Sequence, residues 1–152
     1  MIQRKQTLWL LLAAVCLCLT MVMPVGTIIS KELTFSDLTI LGFGEDVNEA
    51  VGAHTPWGVL TLTALAIVAA VLAIFGFKNR AKQLKMTNIM MLISALTIVV
   101  TYVYVMSYTP EGFMNDLKPG CVLYFVAYLA GFMARRGIRK DEELVKAADR
   151  IR

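Results

Sequence analysis

The sequence predicts an all-α membrane protein: an antiparallel four-helix transmembrane bundle with a small extracytoplasmic cap between spans 1 and 2. The chain of 152 residues is 58% hydrophobic and only 17% charged, whereas a soluble domain carries about a quarter charged residues. The apolar residues fall in four long runs, and most basic residues border alternate ends of those runs. We expect one membrane domain, because four spans of ~20 residues leave only short connections.

The four runs cover residues 8–29, 57–77, 86–108 and 120–134. The first resembles a signal peptide, but it is too long for the apolar core of one and lacks a small-residue cleavage site, so we expect an uncleaved anchor. Pro24 and Gly26 predict a kink or an end near its far end. The fourth run is short, and Arg135 and Arg136 can lengthen it by snorkelling to the headgroups.

The distribution of positive charge predicts the orientation of the spans. Thirteen of the fifteen Lys and Arg residues lie before the first run, between the second and third, or after the fourth. The other two connections hold Lys31, Lys118 and seven acidic residues. Positive charge is retained in the cytoplasm, so we expect a multi-pass protein of the cell inner membrane with both termini cytoplasmic. The basic residues would meet anionic lipid headgroups, and we expect no nucleic-acid partner.

The cap corresponds to residues 30–55, the one long connection. Leu33 and Phe35, then Leu38 and Ile40, alternate with polar residues. This weak period-two pattern favours a small β-hairpin on the outer face of the bundle.

Small residues recur at helical spacing in two of the runs. Such residues let backbones approach closely, which is what holds helices together in lipid. The pattern fits faces that pack inside one bundle and faces that pack against another subunit. The predicted helix-packing residues are Ala66, Ala70, Ala73, Ala127, Gly131 and Ala134.

A polar stripe follows the third run at helical spacing: Thr87, Ser94, Thr97 and Thr101. These side chains either line a water path or bond to their own helix or a neighbour. Because hydroxyl groups in membrane helices commonly bond to a carbonyl of the preceding turn, we favour packing.

No Asp, Glu, Lys, Arg or His lies inside the four runs. Charged groups within spans mark ion paths, proton relays and membrane catalysis, so the sequence predicts no enzyme and no catalytic, cofactor-binding or metal-binding residue. Cys16 and Cys18 would point about 200° apart on a helix and cannot pair, and Cys121 has no obvious partner. His54 is the only histidine, whereas a metal site needs several ligands.

The tail, residues 137–152, predicts a helix that either continues the fourth span or bends onto the membrane. Its basic start is expected to meet lipid headgroups through Arg135, Arg136, Arg139 and Lys140. Anionic lipid would repel the acidic residues that follow, so a helix with both signs and an apolar face favours a protein surface. The predicted partner-binding residues are Asp141, Glu142, Leu144, Val145, Ala148, Asp149, Arg150 and Arg152.

The two ends of the chain resemble an uncharacterised family of small bacterial four-span inner-membrane proteins, classed as a domain of unknown function. The opening residues Met1, Ile2, Gln3, Arg4 and Gln6 fit its start. Its basic-then-acidic tail with an A-D-R-[LI]-R end is matched by Lys140, Asp141, Glu142, Leu144, Val145, Ala148, Asp149, Arg150 and Arg152. Gly137 stands where the family pattern leads us to expect alanine. The resemblance implies a bacterial inner membrane and supplies no activity, ligand or catalytic residue.

These observations favour a non-enzymatic function: an integral inner-membrane scaffold or accessory subunit of a membrane protein complex that binds a protein partner, a second copy, or both. The alternative is a small oligomeric carrier or channel for a lipid or neutral solute, with a polar cavity at the third-run stripe. A membrane thiol or quinone enzyme would need Cys121 to be accessible beside a redox partner.

Overall fold

The computed structural model describes residues 2–29, 35–43, 56–108 and 118–150. Four helices make up most of this part of the chain: α1 (Ile2–Thr20), α2 (Trp57–Phe75), α3 (Arg80–Tyr108) and α4 (Pro119–Arg150). Three short strands lie between α1 and α2: β1 (Gly26–Ile29), β2 (Phe35–Thr39) and β3 (Gly42–Phe43).

The first helix is shorter than the apolar run that contains it. The run extends to residue 29, but α1 ends at Thr20. The last four residues of the run form β1. The amides of Met21 and Val22 donate to carbonyls three residues back, at 3.2 and 3.1 Å, which tightens the final turn. Pro24 follows and has no N–H to continue a helix. The prediction of a single helical span over residues 8–29 is therefore corrected. An apolar run by itself does not distinguish a helix from a strand.

The strands form one antiparallel sheet in the order β1–β2–β3. Gly26 pairs with Leu38 at one end of the β1–β2 ladder, and Leu38 also faces Phe43 of β3. The sheet thus takes its first strand from the apolar run and not from residues 30–55, where the hairpin was expected. Ile40, in the turn between β2 and β3, is fully buried in the bundle core, so the sheet is anchored on the helices.

The helices pack as a ring in the order α1–α2–α3–α4, because α1 and α3 each pack against both α2 and α4. One end of the ring, the turn end, holds the connection between α2 and α3. The opposite end, the sheet end, holds the strands and the start of α4. Gly120 of α4 donates its N–H to Pro24 O at 2.9 Å, so α1 and α4 run antiparallel.

The α2–α3 connection is shorter than the basic segment of residues 78–85 that separates the second and third apolar runs. A single 3-10 turn, Gly76–Lys78, follows α2, and α3 begins at Arg80. Asn79 starts α3, because its side-chain Oδ1 accepts the Lys82 N–H at 3.2 Å, which is the bonding of a helix N-cap. Most of the basic segment is thus the first turns of α3.

The last helix continues without a break through the fourth apolar run and into the tail. Its 32 residues correspond to a length of about 48 Å. The choice between a continuing and a bending tail is settled in favour of a continuing helix as far as Arg150.

Three described helices are long and apolar enough to cross a membrane: Trp57–Phe75, Arg80–Ser107 and Pro119–Ala147. The apolar part of α1, Lys5–Thr20, is shorter. By length and composition these are the helices of a membrane protein.

At the sheet end, Gly120 leaves no room for a side chain. A Cβ added there would lie 2.7 Å from both Pro24 O and Val25 Cγ1. A backbone oxygen cannot rotate away as the end of a side chain can. We predict that Gly120→Ala destabilises the protein by roughly 1–3 kcal/mol, the usual cost of overpacking. SDS-induced unfolding in mixed micelles would measure it.

Gly58 provides the control, because a Cβ there meets nothing within 4 Å. Gly58→Ala should be neutral or stabilising by up to ~1 kcal/mol, the gain in helix propensity. Equal stabilities of the two variants would contradict the close contact at Gly120.

Candidate functional site

At the turn end, the first and last helices are joined by a buried hydrogen bond. Gln6 Nε2 donates to Asp141 Oδ2 at 2.6 Å, and the two residues are 5% and 7% exposed. A buried polar group is costly unless it is hydrogen-bonded, so each side chain supports the burial of the other. One partner lies near the start of the sequence and the other near its end.

Arg80 of α3 closes this cluster from a third helix. Its Nη1 donates to the Asp141 carbonyl oxygen at 3.2 Å, and Gln83, one turn along α3, is also buried. In the part of the chain that the structure describes, no carboxylate lies within ion-pair distance of the Arg80 guanidinium. Among the described residues, the Arg80 guanidinium therefore forms no ion pair.

The structure changes the role of Asp141. The sequence placed it among the partner-binding residues, on the surface of the tail helix. Its carboxyl group is instead buried and bound to Gln6, so it is not available to a partner. The burial of Asp141 could not be read from the tail alone. Its partner is at the other end of the chain, where Gln6 is the last residue of the opening motif.

The remaining described tail residues are on the surface. Leu144 and Val145 are 54% and 43% exposed. Glu142 and Lys146 pair at 2.8 Å, and Arg139 and Glu143 at 3.2 Å, each within the same helix. The side chains of Ala148, Asp149 and Arg150, and all of Arg152, lie outside the described residues.

The expected headgroup-binding residues form the stretch of α4 just before this tail. Arg136, Arg139 and Lys140 are exposed and Arg135 is half-buried. They follow directly on Ala134, the last residue of the apolar run, so they lie where a headgroup layer would meet the helix.

The small residues of α2 and α4 face the interior of this chain's own bundle. Ala66, Ala70, Ala73, Ala127, Gly131 and Ala134 are all buried. A Cβ on Gly131 would lie 2.5 Å from Met90 Cε and 2.9 Å from Met91 Cγ. Of the two locations that the sequence left open, the bundle interior is the one observed.

The polar stripe of α3 also faces inward, and three of its members bond to their own helix. Thr87, Ser94 and Thr97 donate to the carbonyls four residues back, at 2.8–2.9 Å, which confirms the packing interpretation for these three. Thr101 is 2% exposed, and its Oγ1 has no hydrogen-bond partner in the described structure. A hydroxyl buried in this way costs free energy.

A second polar contact lies deep in the bundle. The Tyr124 hydroxyl of α4 is hydrogen-bonded to Thr63 of α2, and it also interacts with the Thr20 side chain of α1. Thr63 and Thr20 additionally donate to carbonyls of their own helices. This contact joins two helices on opposite sides of the ring. The sequence did not predict it, because the tyrosine lies in an otherwise apolar run.

The cysteines are separated in the structure. Cys16 is buried, Cys18 is exposed, and Cys121 donates its S–H to Val25 O at 2.9 Å. Within the described ranges, no group of three or more His, Cys, Asp and Glu side chains is placed to hold a metal ion. His54 and the acidic residues near it lie outside those ranges.

The Gln6–Asp141 hydrogen bond can be measured by a double-mutant cycle. We predict a coupling free energy of roughly 1–3 kcal/mol between Gln6→Ala and Asp141→Ala, because either single substitution leaves a buried polar group unsatisfied. Unfolding of the four proteins in SDS mixed micelles gives the value. The exposed pair Arg139 and Glu143 is the control, with expected coupling below ~0.5 kcal/mol; coupling as small at Gln6 and Asp141 would show that their bond does not contribute.

Two isosteric substitutions test the interior hydroxyls. Thr63→Val should destabilise the protein by about 0.6–1.7 kcal/mol, the range for interhelical hydrogen bonds in membranes. Thr101→Val should be neutral or stabilising, because no described bond is lost and an unsatisfied hydroxyl is removed. A cost at Thr101 equal to that at Thr63 in the same unfolding assay would mean that Thr101 has a partner in the folded protein.

Comparison with known proteins identifies a family. The family model described as a domain of unknown function (DUF4293) matches residues 2–151. The searches of curated proteins and of solved structures returned no match. The matched range contains both partners of the buried Gln6–Asp141 bond. The chain belongs to this family of unknown function.

Proposed function

We propose that the protein is a non-enzymatic scaffold or accessory subunit of a membrane protein complex, held in the inner membrane by four spans with both termini in the cytoplasm. The observation that carries the proposal is the exposed end of α4, with apolar Leu144 and Val145 beside charges that are paired within the helix.

The length of α4 explains why this end is available to a partner. The apolar part, residues 119–134, is about 24 Å long, and the part that follows is about as long again. Two exposed helical turns are marginal on their own. A protein surface that covers Leu144 and Val145 would stabilise them.

In this topology α1 is one of the four spans, although its helix is short. Its exposed apolar side chains within the helix extend from Leu8 to Leu19, a rise of about 17 Å, and Val22 and Met23 just beyond the helix are also exposed. The segment packs along α4 from Gln6 to the Pro24 carbonyl. A thin local bilayer would accommodate it beside the short apolar part of α4.

The alternative, an oligomeric carrier or channel for a lipid or neutral solute, is favoured by one observation, the unpartnered Thr101 hydroxyl. The other stripe hydroxyls are bonded to their own helix. Towards the turn end, Leu10, Ala73 and Ala134 fill the interior as an apolar cluster. These features support the scaffold over the carrier.

The proposed orientation predicts where a reporter works. An enzyme active only in the cytoplasm should be active when fused after Arg152 or inserted after Asn79, because the basic residues border those ends. The same enzyme inserted at Asp46 should be inactive. Activity at Asp46 and not at the other sites would reverse the orientation.

The proposed partner-binding role predicts the effect of truncation. Every described side chain from Glu143 to Ala147 is exposed, so deletion of residues 143–152 should leave the bundle inserted and folded. We predict that the truncated protein loses the stoichiometric partner that the full chain retains in a native pull-down from membranes with mass spectrometry. Retention of every partner by the truncated protein would contradict the role of the tail.

A further inference from the structure

One exposed apolar residue of the tail, Val145, continues the inward face of α4. At 100° per residue, Val145 falls on the same side of the helix as Ala134, Ile138 and Asp141, all of which are buried in the bundle. The side chain that covers Asp141 is Gln6, and α1 begins one turn before it, at Ile2. Val145 itself is 43% exposed.

Arg80 borders the same position. Its guanidinium is bonded to the Asp141 carbonyl, which is the carbonyl that an α-helix directs at the N–H of Val145. It uses one described hydrogen bond of the five that guanidinium can donate. We call Arg80, Leu144 and Val145 the shelf: one cation and two exposed apolar side chains.

We propose that the shelf binds a short segment of a cytoplasmic protein that carries a carboxylate beside an apolar side chain. The carboxylate pairs with Arg80, whose planar donors suit bidentate binding, and the apolar side chain packs on Leu144 and Val145. This inference rests on the proposed scaffold function and specifies the chemistry of the partner.

The position of the shelf favours a protein over a lipid. Val145 lies about 16 Å along the helix beyond Ala134, whereas the headgroup region on each side of a bilayer is only about 5–8 Å thick. A lipid phosphate that reached Arg80 would leave its acyl chains far from Val145. An anionic lipid therefore accounts for the cation and not for the apolar pair.

The direction of the shelf favours a soluble partner over a second copy. Val145 faces the same way as the interior of the bundle, so this side of the shelf opens beneath this chain's own helices. A second copy in the same bilayer would lie beside the bundle and meet the outward sides of its helices. The open side of the shelf is reached from the cytoplasm.

Cysteine protection tests the proposal on the full chain. In a background with Cys16, Cys18 and Cys121 changed to Ala, a single cysteine is placed by Val145→Cys or, on the opposite side of α4, by Ala147→Cys. A membrane-impermeant maleimide is applied to native vesicles with the cytoplasmic face outward, to vesicles stripped with salt and carbonate, and to purified protein in phosphatidylglycerol-containing liposomes.

We expect the cysteine at position 145 to react about tenfold more slowly in native vesicles than after stripping, the ratio for a partner present at roughly ten times its Kd. In liposomes it should react as fast as after stripping. The cysteine at position 147 should react at one rate throughout. Equal rates at position 145 in native and stripped vesicles would overturn the proposal, as would protection in the liposomes, which would identify lipid as the occupant.

Arg80→Gln separates the charge from the hydrogen bond, because a Gln amide can still donate to the Asp141 carbonyl. It should abolish protection of the cysteine at position 145, whereas the exposed Lys82→Gln should not. Persistent protection with Arg80→Gln would overturn the carboxylate contact. If position 145 is unprotected but the pull-down partner is still lost on truncation, the shelf is wrong and the scaffold function stands.

Discussion

Close approach of helix backbones is the constraint on which this structure depends. In lipid, apolar side chains gain little by leaving the acyl chains, so helices associate through tight packing and hydrogen bonds. Here alanine and glycine faces on α2 and α4 supply the packing, and Gly131 and Gly120 lie where a Cβ would collide with a neighbouring element. Because the backbones are this close, the Gln6–Asp141 bond and the hydrogen bond of a buried hydroxyl such as Thr63 can join one helix to another.

The main features of the fold could be predicted because the membrane imposes them. Long apolar runs give three helices of spanning length, and small residues at helical spacing locate their packed faces. The end of α1 could not be predicted, since Pro24 and Gly26 fit a kinked helix as well as a helix followed by a strand. The start of α3 was missed because a basic segment resembles a loop until the cap formed by Asn79 is known.

The candidate site was predicted in its location but not in its construction. Mixed charge and an apolar face predicted a partner-binding surface on the tail. Leu144 and Val145 are exposed, as that pattern requires. Helical periodicity within one segment cannot identify what lies opposite it. Asp141 therefore seemed to be on the surface, although a residue 135 positions earlier covers it, and Arg80 was counted only as one positive charge among several.

The Gln6–Asp141 bond also has a consequence for biosynthesis. The partners are separated by 135 positions, which a ribosome takes about 7–27 s to add at 5–20 residues per second. The first helix is synthesised long before its last neighbour exists. During that interval Gln6 has no Asp141 to bind. The bond therefore forms only after residue 141 has been added, and a chain that stalls earlier leaves the first helix without the neighbour that covers its inner face.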